Sequence, residues 1–194
     1  MAVKVALLGG SFNPPHVGHL LAALYVRSTQ QVDEVWLMPA YQHPFGKALA
    51  PFEHRLRMCE VMCEETSGWL KTNSVERVLG EQGGSGRTVD TLSFLLECNP
   101  TIRFSLIIGS DILKDLPHWK SYDRIERMAQ VLVLYRAGYP APGTIGPPLA
   151  EVSSTQIRDM LARGEEPVEL VPGGVLDYAR EMGLYGLGQA GAAG

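Results

Sequence analysis

The sequence predicts an α/β fold in which a doubly wound parallel sheet lies between two layers of helices. Short runs of aliphatic and β-branched residues alternate with longer segments of helical spacing, a pattern typical of parallel sheets. Two of these runs end in glycine followed by polar residues, as strands do at the ligand-binding edge of such sheets. We therefore expect one Rossmann-like domain of three α/β/α layers over residues 1–186, with residues 187–194 as a disordered tail.

The N-terminal half is predicted to begin with a β-α-β unit. Residues 3–8 and 34–38 have the composition of buried strands, and residues 15–30 have helical spacing between them. Residues 39–50 are rich in proline, glycine and aromatic residues, and this composition suggests a lid. A helix is then predicted over residues 52–65, with its inward face formed by Leu56, Cys59, Met62 and Cys63.

The second half continues the alternation and contains the strand predicted to be central, residues 103–109. Its end meets Ser110 and Asp111, at the edge where open α/β sheets place their ligands. Residues 81–87 and 137–148 are predicted as loops because they are rich in glycine or proline. The other predicted elements are strands at 70–73 and 131–135 and helices at 88–98, 122–128, 154–163 and 174–181.

The bulk composition favours a protein that binds small molecules. The formal net charge of -4 argues against a non-specific nucleic-acid binder, which would carry a basic excess. No apolar run approaches the roughly 20 residues of a membrane helix, and the first residues do not resemble a secretion signal. We expect a cytoplasmic protein without membrane or nucleic-acid partners, and a homo-oligomer stays possible. Cys59, Cys63 and Cys98 lack the spacing of a disulfide framework or a zinc site.

Residues 9–20, GGSFNPPHVGHL, place glycines at a strand end and two histidines in the first turn of a helix. His16 and His19 are three residues apart, so their rings lie on one face beside the amides of the helix N-terminus. Those amides and the helix dipole favour an anion, and Gly18 has no side chain to keep a phosphate at a distance. A capping histidine, a packing histidine or a zinc pair are alternatives, but the combination favours phosphate binding.

Two motifs resemble signatures of the nucleotidyltransferase superfamily. GSFNPPHVGH, residues 10–19, is similar to its HxGH signature, and VSSTQIR, residues 152–158, is similar to its ISSTxIR signature. The resemblance implies that both motifs converge on the triphosphate of ATP. The implied roles are phosphate binding by His16 and His19, a bidentate clamp by Arg158, a helix cap by Ser154 or Thr155, and further ATP contacts by Gly9, Gly10, Ser11, Phe12, Gly18 and Ser153.

Four further segments make the chain resemble the nicotinate-nucleotide adenylyltransferases over nearly its whole length. They are RTVDTL at 87–92, IIGSD at 107–111, the pair at 118–119 and residues 171–185. The resemblance implies that Gly109 and Asp111 contact adenosine, whereas Asn13, Thr88 and Trp119 contact nicotinate mononucleotide. Taken alone, Thr88 is equally an N-cap, and Trp119 is more often a core or surface aromatic.

One segment departs from the family. QHPFGK, residues 42–47, stands where the family usually has a PPHK-like stretch, so Lys47 matches the phosphate-reaching lysine while the histidine is replaced by Gly46 or displaced to His43. We expect Mg²⁺ to accompany ATP as the only cofactor. No carboxylate cage is visible in the sequence, so no protein metal site is predicted.

The resemblance implies transfer of AMP from ATP to nicotinate mononucleotide, with release of pyrophosphate, in NAD synthesis. Such a reaction requires positioning and cationic donors rather than a protein nucleophile. Three alternatives stay open: nicotinamide mononucleotide as the acceptor, phosphopantetheine as the acceptor, or a catalytically weak ATP-binding paralogue.

Overall fold

The computed structural model describes residues 2–42, 49–84, 86–149 and 151–188. Within these ranges six strands form one sheet in the order β3-β2-β1-β4-β5-β6, with every neighbouring pair parallel. The order reverses between β1 and β4, which makes their carboxyl ends the topological switch point where such sheets bind ligands. The strands are β1 (Lys4–Gly10), β2 (Glu34–Pro39), β3 (Leu70–Thr72), β4 (Arg103–Gly109), β5 (Gln130–Arg136) and β6 (Ile145–Leu149).

The described residues also contain seven α-helices and two 3₁₀ segments, of which two helices and one 3₁₀ segment follow the last strand. The 3₁₀ segments are Ser110–His118 and Leu184–Gly186. The helices are α1 (Val17–Thr29), α2 (Phe52–Glu64), α3 (Val75–Glu81), α4 (Thr88–Cys98), α5 (Tyr122–Met128), α6 (Ser154–Ala162) and α7 (Gly173–Glu181).

β1 shows how the sheet separates two cores. Ala6 and Leu8 belong to the core that also contains residues of α1, α2, α6 and α7. Val5 and Leu7 belong to the core formed with α3, α4 and α5. All four side chains are buried, as expected for a central parallel strand that is covered on both faces. The predicted Rossmann-like, doubly wound, three-layer fold is confirmed.

Two segments predicted as loops are partly regular. The 137–148 prediction is wrong at its end because β6 pairs there with β5, Leu134 facing Ile145. Pro147 and Pro148 are compatible with this position because β6 is the edge strand and its outer amides need no partner. Residues 81–87 begin at the last residue of α3, a seven-residue helix that the sequence analysis did not predict.

The inward face of α2 differs from the prediction. Cys59 and Met62 are buried as expected, but Leu56 and Cys63 are only half-buried. The face is rotated toward Met58 and includes the buried Arg55. An arginine at that position hides the true face from a reading of apolar periodicity, because a charged side chain is ordinarily assigned to the surface.

The C-terminal end of the described chain packs on the domain. Leu187 contacts the core, and residues 189–194 lie outside the described residues. None of the helices in the described ranges is long and apolar enough to cross a membrane.

Candidate active site

The carboxyl ends of β1, β4 and β5 and the start of α1 enclose a cavity of about 480 Å³, here called the first cavity. Its wall brings together sequence-predicted residues from four separate parts of the chain. They are Gly9, Gly10, Ser11, His16, Gly18, His19, Thr88, Gly109, Asp111 and Trp119.

Other predicted residues do not belong to this wall. Among the described residues Phe12, Asn13, Ser153, Ser154, Thr155 and Arg158 do not line the cavity. Phe12 and Asn13 are almost completely buried. Lys47 lies outside the described residues, and its role stays a prediction.

The two histidines are held at the start of α1 by a backbone contact. His16 is the N-cap residue, and its backbone N–H donates to Nδ1 of His19 over 3.2 Å. The ring centroids are 3.8 Å apart. Because Nδ1 of His19 accepts this bond, its neutral ring carries the proton on Nε2, which makes Nε2 a hydrogen-bond donor.

Both histidines are neutral at physiological pH. Burial, and after it the nearby cation of Arg136, lower the pKa of His16 to about 4. Burial, then His16, then Arg136 lower the pKa of His19. Both rings are therefore neutral beside an arginine, and a bound polyanion would offset the part of the pKa shift that comes from the charge of Arg136.

Nδ1 of His16 is buried, and within the described ranges it has no hydrogen-bond partner. Buried polar atoms are ordinarily hydrogen-bonded, and because His16 lines the first cavity, this atom is consistent with contact to a bound group.

The amides of the α1 N-terminus are less available than the sequence suggested. The N–H of Val17 donates to the carbonyl of Leu170, and those of His19 and Leu20 donate to the carbonyl of His16. Attraction of an anion therefore depends on the helix dipole and on side chains such as Arg136.

Two glycines in the wall are required by side-chain packing. A Cβ atom on Gly18 would lie 3.0 Å from Nδ1 of His16 and 3.5 Å from Cβ of Val152. A Cβ atom on Gly109 would lie 3.1 Å from Cδ of Arg136 and would collide with Asp111. Gly18 thus makes room for the His16 ring, whereas the sequence had suggested only that it makes room for a phosphate.

Arg136 is the wall residue that the sequence analysis missed. It is the last residue of β5, its backbone N–H donates to Ser110 Oγ over 2.9 Å, and its Nε lies 3.8 Å from Oδ1 of Asp111. The rule that placed Asp111 at the end of β4 would have found Arg136 at the end of the neighbouring strand.

The SSTQIR segment fastens α6 to the loop of residues 11–16, here called the phosphate loop. Ser153 is the N-cap, accepting from the N–H of Gln156, so the prediction that Ser154 or Thr155 caps the helix is wrong. Ser154 instead donates through Oγ to the carbonyl of Pro14 over 2.8 Å. Arg158 donates from one guanidinium nitrogen to the carbonyl of Asn13 over 2.7 Å.

A second cavity, of about 790 Å³, adjoins the first and shares Thr88, Ile112 and Trp119 with it. Thr88 is the first residue of α4, and Arg87 occupies the N-cap position. The cavity is also lined by three groups that are cationic or can become so, Arg87, His118 and Lys120, with Asp115 as the acidic residue of its wall.

No group of three or more histidine, cysteine or carboxylate side chains in the described part of the chain is arranged to hold a metal ion. Asp111 is the carboxylate of the first cavity, and Arg136 lies beside it. A divalent ion brought by ATP would therefore depend mainly on phosphate oxygens and water.

The model of the cytidylyltransferase-like family matches residues 7–160. This chain belongs to that family. A curated relative from Myxococcus xanthus, "Probable nicotinate-nucleotide adenylyltransferase", is 69% identical over 186 residues, 96% of each chain. A relative of the same name from Streptococcus pneumoniae is 39% identical over 94% of this chain and 88% of its own.

Solved structures match the fold. The nicotinic acid mononucleotide adenylyltransferase of Plasmodium falciparum, complexed with NaAD, superposes with a TM-score of 0.79 over 94% of this chain and 97% of its own, at 19% identity. A putative nicotinate-nucleotide adenylyltransferase from Vibrio parahaemolyticus gives 0.73 over 95% and 96%, at 20% identity. The family membership expected from the two motifs is confirmed.

Proposed function

We propose that this chain is a nicotinate-nucleotide adenylyltransferase, which transfers AMP from ATP to nicotinate mononucleotide and releases pyrophosphate in NAD biosynthesis. The observation that carries the proposal is the pair of adjoining cavities, one beside two histidines and an arginine, the other beside a tryptophan and basic side chains. Two adjoining cavities with shared lining residues suit a reaction that joins two nucleotides. The 69% identity to the Myxococcus xanthus relative supports the same activity.

The chemistry fits the first cavity. An oxygen of the acceptor phosphate attacks the α-phosphorus of ATP, and the bond from that phosphorus to the bridging oxygen breaks as pyrophosphate leaves. Negative charge collects on the transferring and leaving groups, where preorganised donors lower the barrier most. The Nε2 proton of His19 and the guanidinium of Arg136 are such donors, and both residues line this cavity. Mg²⁺ would neutralise phosphate charge when it arrives with ATP.

The second cavity favours an acceptor with an anionic ring substituent. Arg87, His118 and Lys120 surround it, whereas Asp115 contributes the opposing charge. Trp119 lines both cavities, and its aromatic ring offers a surface for stacking of a pyridine ring. These features support nicotinate mononucleotide over its amide, which lacks the carboxylate. A cytoplasmic location and a possible homo-oligomer stay predictions.

The test is a pyrophosphate-release assay with ATP and Mg²⁺ that offers nicotinate mononucleotide, nicotinamide mononucleotide and phosphopantetheine in parallel. We expect nicotinate mononucleotide to be the preferred acceptor. His19→Ala should lower kcat by about 100-fold, because it removes a donor to the transition state. His54→Ala is the matched control, since His54 contacts Tyr178 between α2 and α7 and lines neither cavity.

Three results would contradict the proposal. Preference for phosphopantetheine would assign the chain to a different acceptor class. Preference for nicotinamide mononucleotide would overturn the inference that the second cavity favours an acceptor with an anionic ring substituent. ATP binding without turnover of any acceptor would indicate a catalytically weak paralogue.

A further inference from the structure

Tyr185, near the C-terminal end of the described chain, reaches back to the phosphate loop. Its hydroxyl donates to Oδ1 of Asn13 over 2.9 Å, a contact between residues 172 positions apart. The C-terminal segment was singled out by its sequence, but the proposed chemistry gives it no task. This contact connects it to the loop that precedes His16.

Asn13 is held from two directions. It is 1% exposed, and its Oδ1 also accepts from the backbone N–H of Ala50 over 3.0 Å. A backbone N–H can only donate, so the side-chain oxygen rather than the amide nitrogen faces both partners. Both lone pairs of Oδ1 are therefore used, one by Tyr185 and one by Ala50.

The backbone of the same residue anchors Arg158. The carbonyl of Asn13 accepts from Arg158 over 2.7 Å, and the next carbonyl, that of Pro14, accepts from Ser154. Asn13 is thus linked to α6 by this hydrogen bond and to His16 by the chain through two prolines. His16 and His19 line the first cavity, three and six residues beyond Asn13.

Tyr185 has an unfavourable backbone conformation. Its φ of 56° and ψ of 24° lie in the left-handed region, which is unfavourable for a residue with a side chain. Such conformations persist where the surroundings determine them, often at functional sites. Burial raises the pKa of the Tyr185 hydroxyl, so the group stays protonated and able to donate at every physiological pH.

Arg55 supports the same loop from the opposite side. This buried side chain donates to the carbonyls of Ser11 and Ala50, each over 2.9 Å. Ala50 therefore bonds both Asn13 and Arg55, and the phosphate loop is fixed to neighbouring segments at Ser11 and at Asn13. The C-terminal segment, residues 171–185, adds to these contacts the hydrogen bond from the Tyr185 hydroxyl.

We propose that Tyr185 is a positioning residue for adenylyl transfer, which holds the phosphate loop, and through it His16 and His19, by its hydrogen bond to Asn13. The inference rests on the proposed function. A small displacement of the histidines weakens donors that matter most in the transition state, so loss of the hydroxyl should lower kcat more than it changes substrate binding.

The experiment compares Tyr185→Phe with Tyr178→Phe. Tyr178 lies in the same C-terminal region and also loses one hydroxyl hydrogen bond, to His54, but that bond is remote from the first cavity. With nicotinate mononucleotide as the acceptor, we expect Tyr185→Phe to lower kcat by about tenfold while the KM for ATP changes less than twofold. Tyr178→Phe should keep wild-type kcat. Both variants are assayed well below their Tm values.

A double variant tests the route of the effect. In an Asn13→Ala background the acceptor atom is absent, so adding Tyr185→Phe should lower kcat no further, whereas independent effects would multiply. Equal kcat values for wild type and Tyr185→Phe, with only the Tm lowered, would overturn the inference and indicate a structural role. A wild-type protein that transfers AMP to no acceptor would overturn the proposed function itself, so the two failures are distinguishable. If Asn13→Ala does not fold, the Tyr185 and Tyr178 comparison decides alone.

Discussion

The two walls of the adjoining cavities differ in burial and in their hydrogen bonds to the rest of the chain. The phosphate loop is buried from Phe12 to His16 and bonded to Arg55, Arg158 and Tyr185. Across the cavity, Thr88 and Trp119 are half-buried, and the basic side chains around them are exposed. A rigid wall suits transition-state donors, which gain most from preorganisation, whereas a solvated wall suits recognition of an incoming acceptor. Changes in the wall formed by the phosphate loop should therefore affect kcat and stability. Changes in the wall formed by Thr88, Trp119 and the basic side chains should affect acceptor affinity.

The largest effect should appear in the pH dependence of stability, through His16. The pKa of this residue is about 4 in the folded protein and 6.5 in its ordinary state. Between these values the unfolded chain binds a proton that the native chain does not. The free energy of unfolding therefore falls as pH falls through this window, by about 3 kcal/mol in total, and is fully recovered above it.

Urea unfolding of the wild type and of His16→Gln at pH 7, 5.5 and 4.5 measures this contribution. The wild type should lose more stability than the variant toward low pH. Parallel pH dependences would contradict the claim that the wall is rigid enough to keep His16 buried and neutral.

A smaller effect is expected from Arg136→Met, which removes the cation between the two strands that end at the first cavity. Loss of a charged hydrogen-bond donor to ATP should raise the KM for ATP by about 10- to 100-fold and also lower kcat, because the same donor stabilises the transition state. The pKa values of His16 and His19 should also rise, because Arg136 lowers both.

Steady-state kinetics across pH measure both changes, with the acidic limb of kcat/KM expected to move to higher pH. Arg163→Met is the matched control, since Arg163 ion-pairs with the exposed Glu165 and lines neither cavity. An unchanged KM for ATP would show that Arg136 serves only to pair with Asp111.

The sequence predicted most of the fold because the signals for it are local. The aliphatic run of β1, its terminal glycines and the histidines that follow lie within about twenty residues. β6 was missed for the opposite reason. Gly146, Pro147 and Pro148 have the composition of a loop, and only pairing with β5 along an exposed edge makes the segment a strand.

The candidate site was predicted where one motif supplied several neighbours, and missed where distant segments meet. His16, His19 and Gly18, which line the first cavity, were predicted from a single stretch, and Asp111, which also lines it, was predicted from the end of a strand. Arg55 and Tyr185 act through contacts made by tertiary packing. Arg55 has no local pattern that separates it from a surface residue, and the family-like segment 171–185 indicated no role for Tyr185 within it. Lys47, predicted from the family resemblance, stays a prediction.

The difference between the two walls is tested most directly by Trp119→Ala, with Trp36→Ala as the control. Trp36 is a half-buried tryptophan of β2 that contacts Phe104 and lines neither cavity. The KM for nicotinate mononucleotide should rise about tenfold with loss of the stacking surface at Trp119, while kcat and the KM for ATP stay within twofold. A fall in kcat comparable to that of His19→Ala, with an unchanged acceptor KM, would contradict the assignment of separate tasks to the two walls.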